Sequence, residues 1–219
     1  MELFASGEDR NPLRFEAESA TLGYLAVAGV DEAGRGTLAG PVVAAAVILG
    51  DVTLFGALRD SKKLTPSRRD TFYDLIIANA SAVGVGIIDH EVIDRINILQ
   101  ASLQAMQMAV MRLSKPADYL LVDGTFKVPL PLPQRAIVKG DDLSLSISAA
   151  SIIAKVTRDR LMIDYDQLYP GYGFAEHKGY GAAVHLAAIG HLGPSPIHRR
   201  TFRGVREHLP ADAATPTLW

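Results

Sequence analysis

From Tyr24 to Val30 the chain runs Tyr-Leu-Ala-Val-Ala-Gly-Val, then breaks at Asp31 and the glycines Gly34 and Gly36. A short apolar run bounded by turn formers predicts a buried strand. Val42 to Leu49 predicts a second, and the short Gly40-Pro41 connection between the two favours antiparallel pairing. Thr65-Pro66 is a helix start, with threonine at the cap and proline at the first position; Phe72, Leu75 and Ile76 continue its turn spacing. Val83 to Ile88 alternates as a third strand. Ile96, Leu99, Leu103, Met106, Val110 and Leu113 recur at helical spacing, which predicts one long amphipathic helix closed by Lys115-Pro116.

Tyr119–Val122 and Arg135–Val138 read as two further strands, the first running out at Asp123-Gly124 and the second near Lys139-Gly140. Ser144 to Leu168 predicts a second long helix. The remainder is rich in glycine, proline and histidine, with a short helix expected around Ala182–Ile189. Strands that begin antiparallel and then alternate with helices imply an α/β layered sheet. Residues 1–22 are polar and expected to be a loose leader. Residues 23–208 are expected to form one domain, helical from about residue 165, and 209–219 a tail.

Composition narrows the chemistry. The 219 residues are 48% hydrophobic and 21% charged, ordinary for a globular chain, and contain no cysteine. Disulfides, thiolate metal sites and cysteine nucleophiles are thereby excluded. No apolar run approaches membrane-spanning length, the longest being Pro41 to Leu49, and no signal peptide is evident; a cytoplasmic location without membrane contact is expected. A net charge of −2 argues against a nucleic-acid partner, but its distribution does not. Basic residues gather at Lys62/Lys63, Arg68/Arg69, Lys155/Arg158/Arg160 and Arg199/Arg200/Arg203/Arg206, so a near-neutral total can hide a basic groove.

The acids fall in a pattern. Asp31 and Glu32 follow the first strand, Asp123 follows the strand Tyr119–Val122, and Asp141 lies between the last strand and a long helix. Sites in open α/β sheets form at the carboxyl ends of strands, and these acids converge there if their strands are neighbours and parallel. Any one of them could be a turn former or helix cap; together they read better as a cluster that a cation must neutralise. Oxygen ligands without thiolate point to Mg²⁺ or Mn²⁺. Such clusters serve phosphodiester hydrolysis, where two ions about 4 Å apart stabilise the attacking and leaving oxygens.

Gly34-Arg35-Gly36-Thr37-Leu38-Ala39-Gly40 has the wrong spacing and the wrong successor for a dinucleotide loop, and lacks the lysine of a Walker loop. Its glycines would let the backbone approach a sugar–phosphate while Arg35 answers the charge. His177, His185, His191 and His198 lack the spacing of a zinc site, and His185 reads as half-buried and structural. Ser144, Ser146, Ser148 and Ser151 read as the small polar side of a helix rather than as nucleophiles.

The segments Gly29-Val30-Asp31-Glu32-Ala33-Gly34-Arg35-Gly36 and Leu38-Ala39-Gly40-Pro41-Val42 resemble the opening signature of the type 2 ribonuclease H family, ribonuclease HII. Asp60-Ser61-Lys62-Lys63-Leu64, Asn97-Ile98-Leu99-Gln100-Ala101, Val122-Asp123-Gly124 and Lys139-Gly140-Asp141 follow in the family's order. So do the stretch from Ser148 through Lys155 and Arg158 to Asp159, His177-Lys178-Gly179-Tyr180-Gly181, and Gly193-Pro194-Ser195-Pro196-Ile197-His198-Arg199. The resemblance spans about residues 24 to 206.

It implies a ribonuclease-H-like mixed sheet flanked by helices with a C-terminal helical extension. It implies an endoribonuclease that hydrolyses the RNA strand of RNA–DNA hybrids and cuts 5′ to single ribonucleotides in duplex DNA, leaving 5′-phosphate and 3′-hydroxyl ends. Asp31, Glu32, Asp123 and Asp141 would hold two Mn²⁺ or Mg²⁺ ions. Gly34, Arg35 and Gly36 would sense the ribose 2′-hydroxyl, the group that separates RNA from DNA, and Tyr180 would pack on the neighbouring deoxyribose. Lys62, Lys63, Lys155, Arg158 and the Arg199/Arg200 pair would contact phosphates.

Ala33 and Thr37 stand where the family often has valine and proline. Asp142 stands where serine is usual, and spacing to Ser151 favours Asp141 as the ligand; Asp159 reads as an ion-pair partner. A monomer is expected, with a sliding-clamp contact through the C-terminal tail. The biological role implied is removal of ribonucleotides from DNA. Rival readings are a non-catalytic nucleic-acid-binding module and a phosphate-ester or sugar-kinase-like enzyme of related fold.

Overall fold

The computed structural model describes residues 11–55 and 65–210. Its strands are β1 Val27–Ala33, β2 Val42–Ile48, β3 Ala82–Ile88, β4 Tyr119–Asp123 and β5 Gln134–Ile137. They form one sheet in the order β3-β2-β1-β4-β5. The pairings β1–β2 and β2–β3 are antiparallel, while β1–β4 and β4–β5 are parallel. The expected antiparallel first pair and mixed α/β sheet are thus present. Strand β2 is buried along its whole length, as its unbroken apolar sequence requires of a strand covered on both faces.

The helices are α1 Arg14–Thr21, α2 Pro66–Asn79, α3 His90–Met111, α4 Gly140–Leu143, α5 Leu145–Leu168, α6 Phe174–His177 and α7 Ala183–Leu192. Thr65 caps α2 through its side chain, with proline next, as the sequence predicts. On one face Val30, Ala44 and Ala46 pack with Ala101, Ala105 and Ala109 of α3. On the other, Ala45 and Val47 pack with Phe72 and Ile76 of α2 and Ala149, Ile152 and Ile153 of α5. No helix among the described residues is long and apolar enough to cross a membrane.

Three expectations change. The long helix expected from Ile96 to Leu113 is the second part of α3, which starts at His90, ends at Met111 and is broken at Asn97 by a φ of 68°. The Asn97 side chain accepts from the Gln100 N–H at 3.1 Å and so caps the second part. Asp31 and Glu32 lie inside β1 rather than after it, because antiparallel pairing to β2 continues as far as Ala33↔Val43. The segment expected to be loose contains α1, which buries Phe15 against Leu121, Ile137 and Ile147. Its Glu16 accepts from the Ser144 hydroxyl at 2.6 Å and the Ser146 N–H at 2.9 Å, bonding the start of α5 from outside.

Close packing against the sheet relies on glycine. A Cβ at Gly84 or Gly86 would stand 2.1 Å from the Ala109 carbonyl oxygen or 2.0 Å from that of Ala105, both backbone atoms of α3. A Gly86→Ala variant is expected to lose about 1–3 kcal/mol of stability through overpacking. Chemical denaturation measures this, and a variant as stable as the parent would contradict the packing described.

Candidate active site

Parallel pairing of β1 with β4 runs from Val27↔Tyr119 to Val30↔Val122, so the next residues along each strand are Asp31 and Asp123. This is the neighbouring, parallel arrangement that convergence of the acids requires. Asp31 is 6% exposed, and its carboxyl is pushed well above the ordinary carboxylate range. Burial is the main cause, followed by the charges of Glu32 and Asp123; the Ser151 hydroxyl and the Glu32 N–H, the latter at 2.7 Å, oppose it.

Glu32 is raised as well, by burial, and Arg35 partly offsets the rise through a 3.0 Å ion pair. Its second oxygen, Oε2, is buried without a hydrogen-bond partner. Asp123 is raised by burial and by the charge of Asp141, against the Gly140 N–H that donates to it at 2.6 Å. Asp141 sits in α4, beyond Lys139 in a left-handed conformation, with its backbone N–H also turned to Asp123. Asp142 is exposed.

Among the described residues no three His, Asp or Glu side chains form a closed ligand cage. Strand alternation accounts for this, since successive side chains leave opposite faces. Asp31 turns toward Ser151 of α5, while Glu32 and Asp123 line a cavity of about 100 Å³ with Leu99, Ser102 and Met106 of α3. Glu32 and Asp123 therefore face one cavity at the sheet end, and Asp31 is coupled to both by charge.

The glycine loop packs against two buried arginines. Arg158 is fully buried and donates to the carbonyls of Pro41, Ala39 and Lys178 and to the Thr37 hydroxyl, at 2.9–3.0 Å. Arg199, also fully buried, donates to the carbonyls of Gly34, Arg35 and Gly40. Burial pushes them down to about 10 and about 9, so both stay charged at neutral pH, solvated by carbonyls. The expectation of phosphate contacts at Arg158 and Arg199 is corrected accordingly: their donors are committed to the loop. Gly34, at φ 95°, is required because a Cβ there would lie 2.0 Å from the Arg158 Nε. At Gly36 a Cβ would meet nothing within 4 Å.

Tyr180 is 46% exposed, and the Lys155 ammonium lies 5.6 Å from its ring centroid. Lys155 also pairs with Asp159 at 2.7 Å, which makes Asp159 the ion-pair partner expected. These side chains border a cavity of about 740 Å³ between α2 and α5. Lys62 and Lys63 lie outside the described residues. His185 is fully buried rather than half-buried. Sequence reasoning missed the contacts of Ser151 with Asp31 and of the Gly140 N–H with Asp123. The small polar stripe at Ser144, Ser148 and Ser151 was the available signal for the first; a backbone donor leaves none.

A family model described as Ribonuclease HII matches residues 28–205. The Ribonuclease HII of Geobacter sulfurreducens is 69% identical over 195 residues, covering 89% of this chain and 90% of its own. That of Geotalea uraniireducens is 60% identical, covering 95% of this chain and 97% of its own. Among solved structures, the ribonuclease H2 of Pyrococcus horikoshii superposes with a TM-score of 0.71 at 28% identity, covering 84% of this chain and 96% of that one. The RNase HII of Archaeoglobus fulgidus, solved as a PCNA:RNase HII complex, gives 0.70 at 26% identity, covering 82% and 96%.

Because the folded protein holds the Asp31 carboxyl above its unfolded value of roughly 3.9, the stability that this group contributes is fully present below that pH and is lost as pH rises through the folded value. Asp31→Asn keeps the acceptor for Ser151 and removes the charge. In chelator-treated protein at pH 8 it is expected to raise Tm; about 1 kcal/mol corresponds to roughly 2–4 °C in a chain of this size. Calorimetry that finds a lower Tm would contradict the electrostatic reading.

Proposed function

The chain belongs to the ribonuclease HII family and is a ribonuclease-H-type hydrolase, an endonuclease of RNA strands; we propose that it also cuts duplex DNA 5′ to single embedded ribonucleotides. The products would be 5′-phosphate and 3′-hydroxyl ends. The observation that carries this reading is the coupling of buried, mutually repelling carboxylates beside a loop whose Gly36 faces open space.

Asp31, Glu32, Asp123 and Asp141 are the proposed holders of two Mn²⁺ or Mg²⁺ ions. The donor set fits: it is all oxygen, burial has raised three of the four acids, and the Glu32 Oε2 is buried without a partner. Bound there, the cations would supply positive charge to the scissile phosphate and the attacking and leaving oxygens. Asp31 feels the charges of both Glu32 and Asp123, so cations held by these acids would relieve it most. Ser151 and the Gly140 N–H hold Asp31 and Asp123 in orientation.

Gly36 needs neither positive φ nor close packing, so the fold leaves its glycine unexplained. Close approach by a ribose and its 2′-hydroxyl explains it. Tyr180, exposed beside Lys155, is the proposed platform for the sugar next to the ribonucleotide, with the Lys155 ammonium at hand for its phosphate. The solved PCNA complex of a relative supports reading the tail past His208 as a sliding-clamp contact.

The test is a duplex carrying one ribonucleotide, incubated with Mn²⁺ or Mg²⁺. A single cut on the 5′ side of the ribonucleotide is expected. Asp123→Asn should slow it by on the order of 10²–10³-fold, as removal of one transition-state-stabilising group does. Gly36→Ala should leave Tm unchanged yet cut the rate. No cleavage with either ion, or full activity in Asp123→Asn, would overturn the proposal.

A further inference from the structure

Three histidines from α6, α7 and the segment after α7 meet in one cluster next to Tyr180, two of them buried and His177 half-buried. His185 and His198 are 0% and 1% exposed, and their Nε2 atoms lie 3.0 Å apart. Two Nε2 atoms can bond only if one carries a hydrogen and the other a lone pair. The neighbouring bonds decide which. The Ser195 N–H donates to the His198 Nδ1 at 2.8 Å and can only donate, so the Ser195 hydroxyl, 2.7 Å from the same nitrogen, cannot be receiving a hydrogen from it. His198 therefore accepts at Nδ1 and, neutral, carries its hydrogen on Nε2.

That hydrogen points at the Nε2 of His185, which must accept it. The proton of His185 is then on Nδ1, and Nδ1 stands 2.8 Å from the Tyr180 carbonyl oxygen. One backbone N–H at Ser195 thus fixes two tautomers in series and delivers a hydrogen-bond donor to Tyr180. His177 is set the same way: the Gly179 N–H donates to its Nδ1, leaving Nε2–H for the Tyr172 carbonyl at 2.8 Å. Its ring stacks on His185, with centroids 4.2 Å apart and planes at 16°, and its own carbonyl accepts the Tyr180 N–H at 2.9 Å. Both backbone polar groups of Tyr180 therefore bond to this cluster, the carbonyl sharing its oxygen with the Ala182 N–H at 2.8 Å.

We infer that His185 and His198 are positioning residues, a tautomer-locked relay from the Ser195 N–H to the Tyr180 carbonyl that sets Tyr180 relative to the glycine loop. The relay reaches that loop because His198 forms an isolated bridge with Ala39, and the Leu38 N–H donates to the Gly179 carbonyl at 2.8 Å. Burial pushes both histidines down to about 4, which keeps the rings neutral at working pH, as the directional chain requires. This rests on the reading of Tyr180 as a substrate platform, and the experiment separates the two.

Long-range proton–nitrogen NMR of the full-length protein at pH 7 reads the tautomers directly. His185 is expected with its hydrogen on Nδ1 and His198 with its hydrogen on Nε2. Reversed tautomers, or either ring doubly protonated, would overturn the relay whatever Tyr180 does. Cleavage then tests its use, as the ratio of kcat/KM for a single embedded ribonucleotide over a uniform hybrid. Tyr180→Ala should change that ratio; if it does not, the reading of Tyr180 fails while the NMR result stands. His185→Leu should shift the ratio in the same direction by roughly fivefold to tenfold. His185→Asn, whose side-chain amide can donate from the Nδ1 position, should restore most of it. Equal ratios in His185→Leu and the parent, or failure of His185→Asn to recover any of the loss, would overturn the positioning role.

Discussion

Negative charge crowded at the end of β1 and β4 is the constraint around which the rest of this structure is arranged. Parallel pairing brings Asp31 and Asp123 to adjacent strands, and burial removes the water that would screen them. A fold can keep such groups only by bonding them and leaving them a counter-charge. The bonds come from Ser151 on α5 and from the N–H of Gly140. One counter-charge, Arg35, is built in and reaches only one oxygen of Glu32. The remainder is what a divalent cation is proposed to supply.

The positive charge that the sequence places near this site is used differently. Arg158 and Arg199 lie under the glycine loop and gather its carbonyls. They join α5 and the C-terminal segment to one turn, so the helical extension is continuous with the site. The loop's shape is therefore fixed from beneath, and its outer side, at Gly36, stays open. Tyr180 is tied to the same turn through His198 and Gly179.

Much of this was legible in the chain. The uninterrupted apolar run of β2 announced a strand covered on both faces, and Thr65-Pro66 announced the start of α2. The acids stood out because each lay where an apolar strand meets a glycine. What the sequence hid has physical causes. Asp31 and Glu32 read as lying past the strand because carboxylates ordinarily end one, whereas here pairing with β2 carries the strand through them. Asn97 broke α3 without disturbing the apolar spacing that runs across it. Arg158 and Arg199 read as phosphate ligands because an arginine's type does not say whether its partners are phosphates or backbone carbonyls. Ser151 and Gly140 were invisible as partners because their role depends on distances between elements far apart in sequence.

The central claim is that Asp31 is held above its ordinary range by burial and neighbouring charge, in a site that a divalent cation relieves. The most direct measurement is the pH titration of the Asp31 side-chain carbon by NMR, in metal-free protein and again with saturating Mg²⁺. The predicted result is a midpoint well above the usual carboxylate range without metal, moving down when Mg²⁺ is added. An ordinary midpoint that Mg²⁺ leaves in place would contradict it.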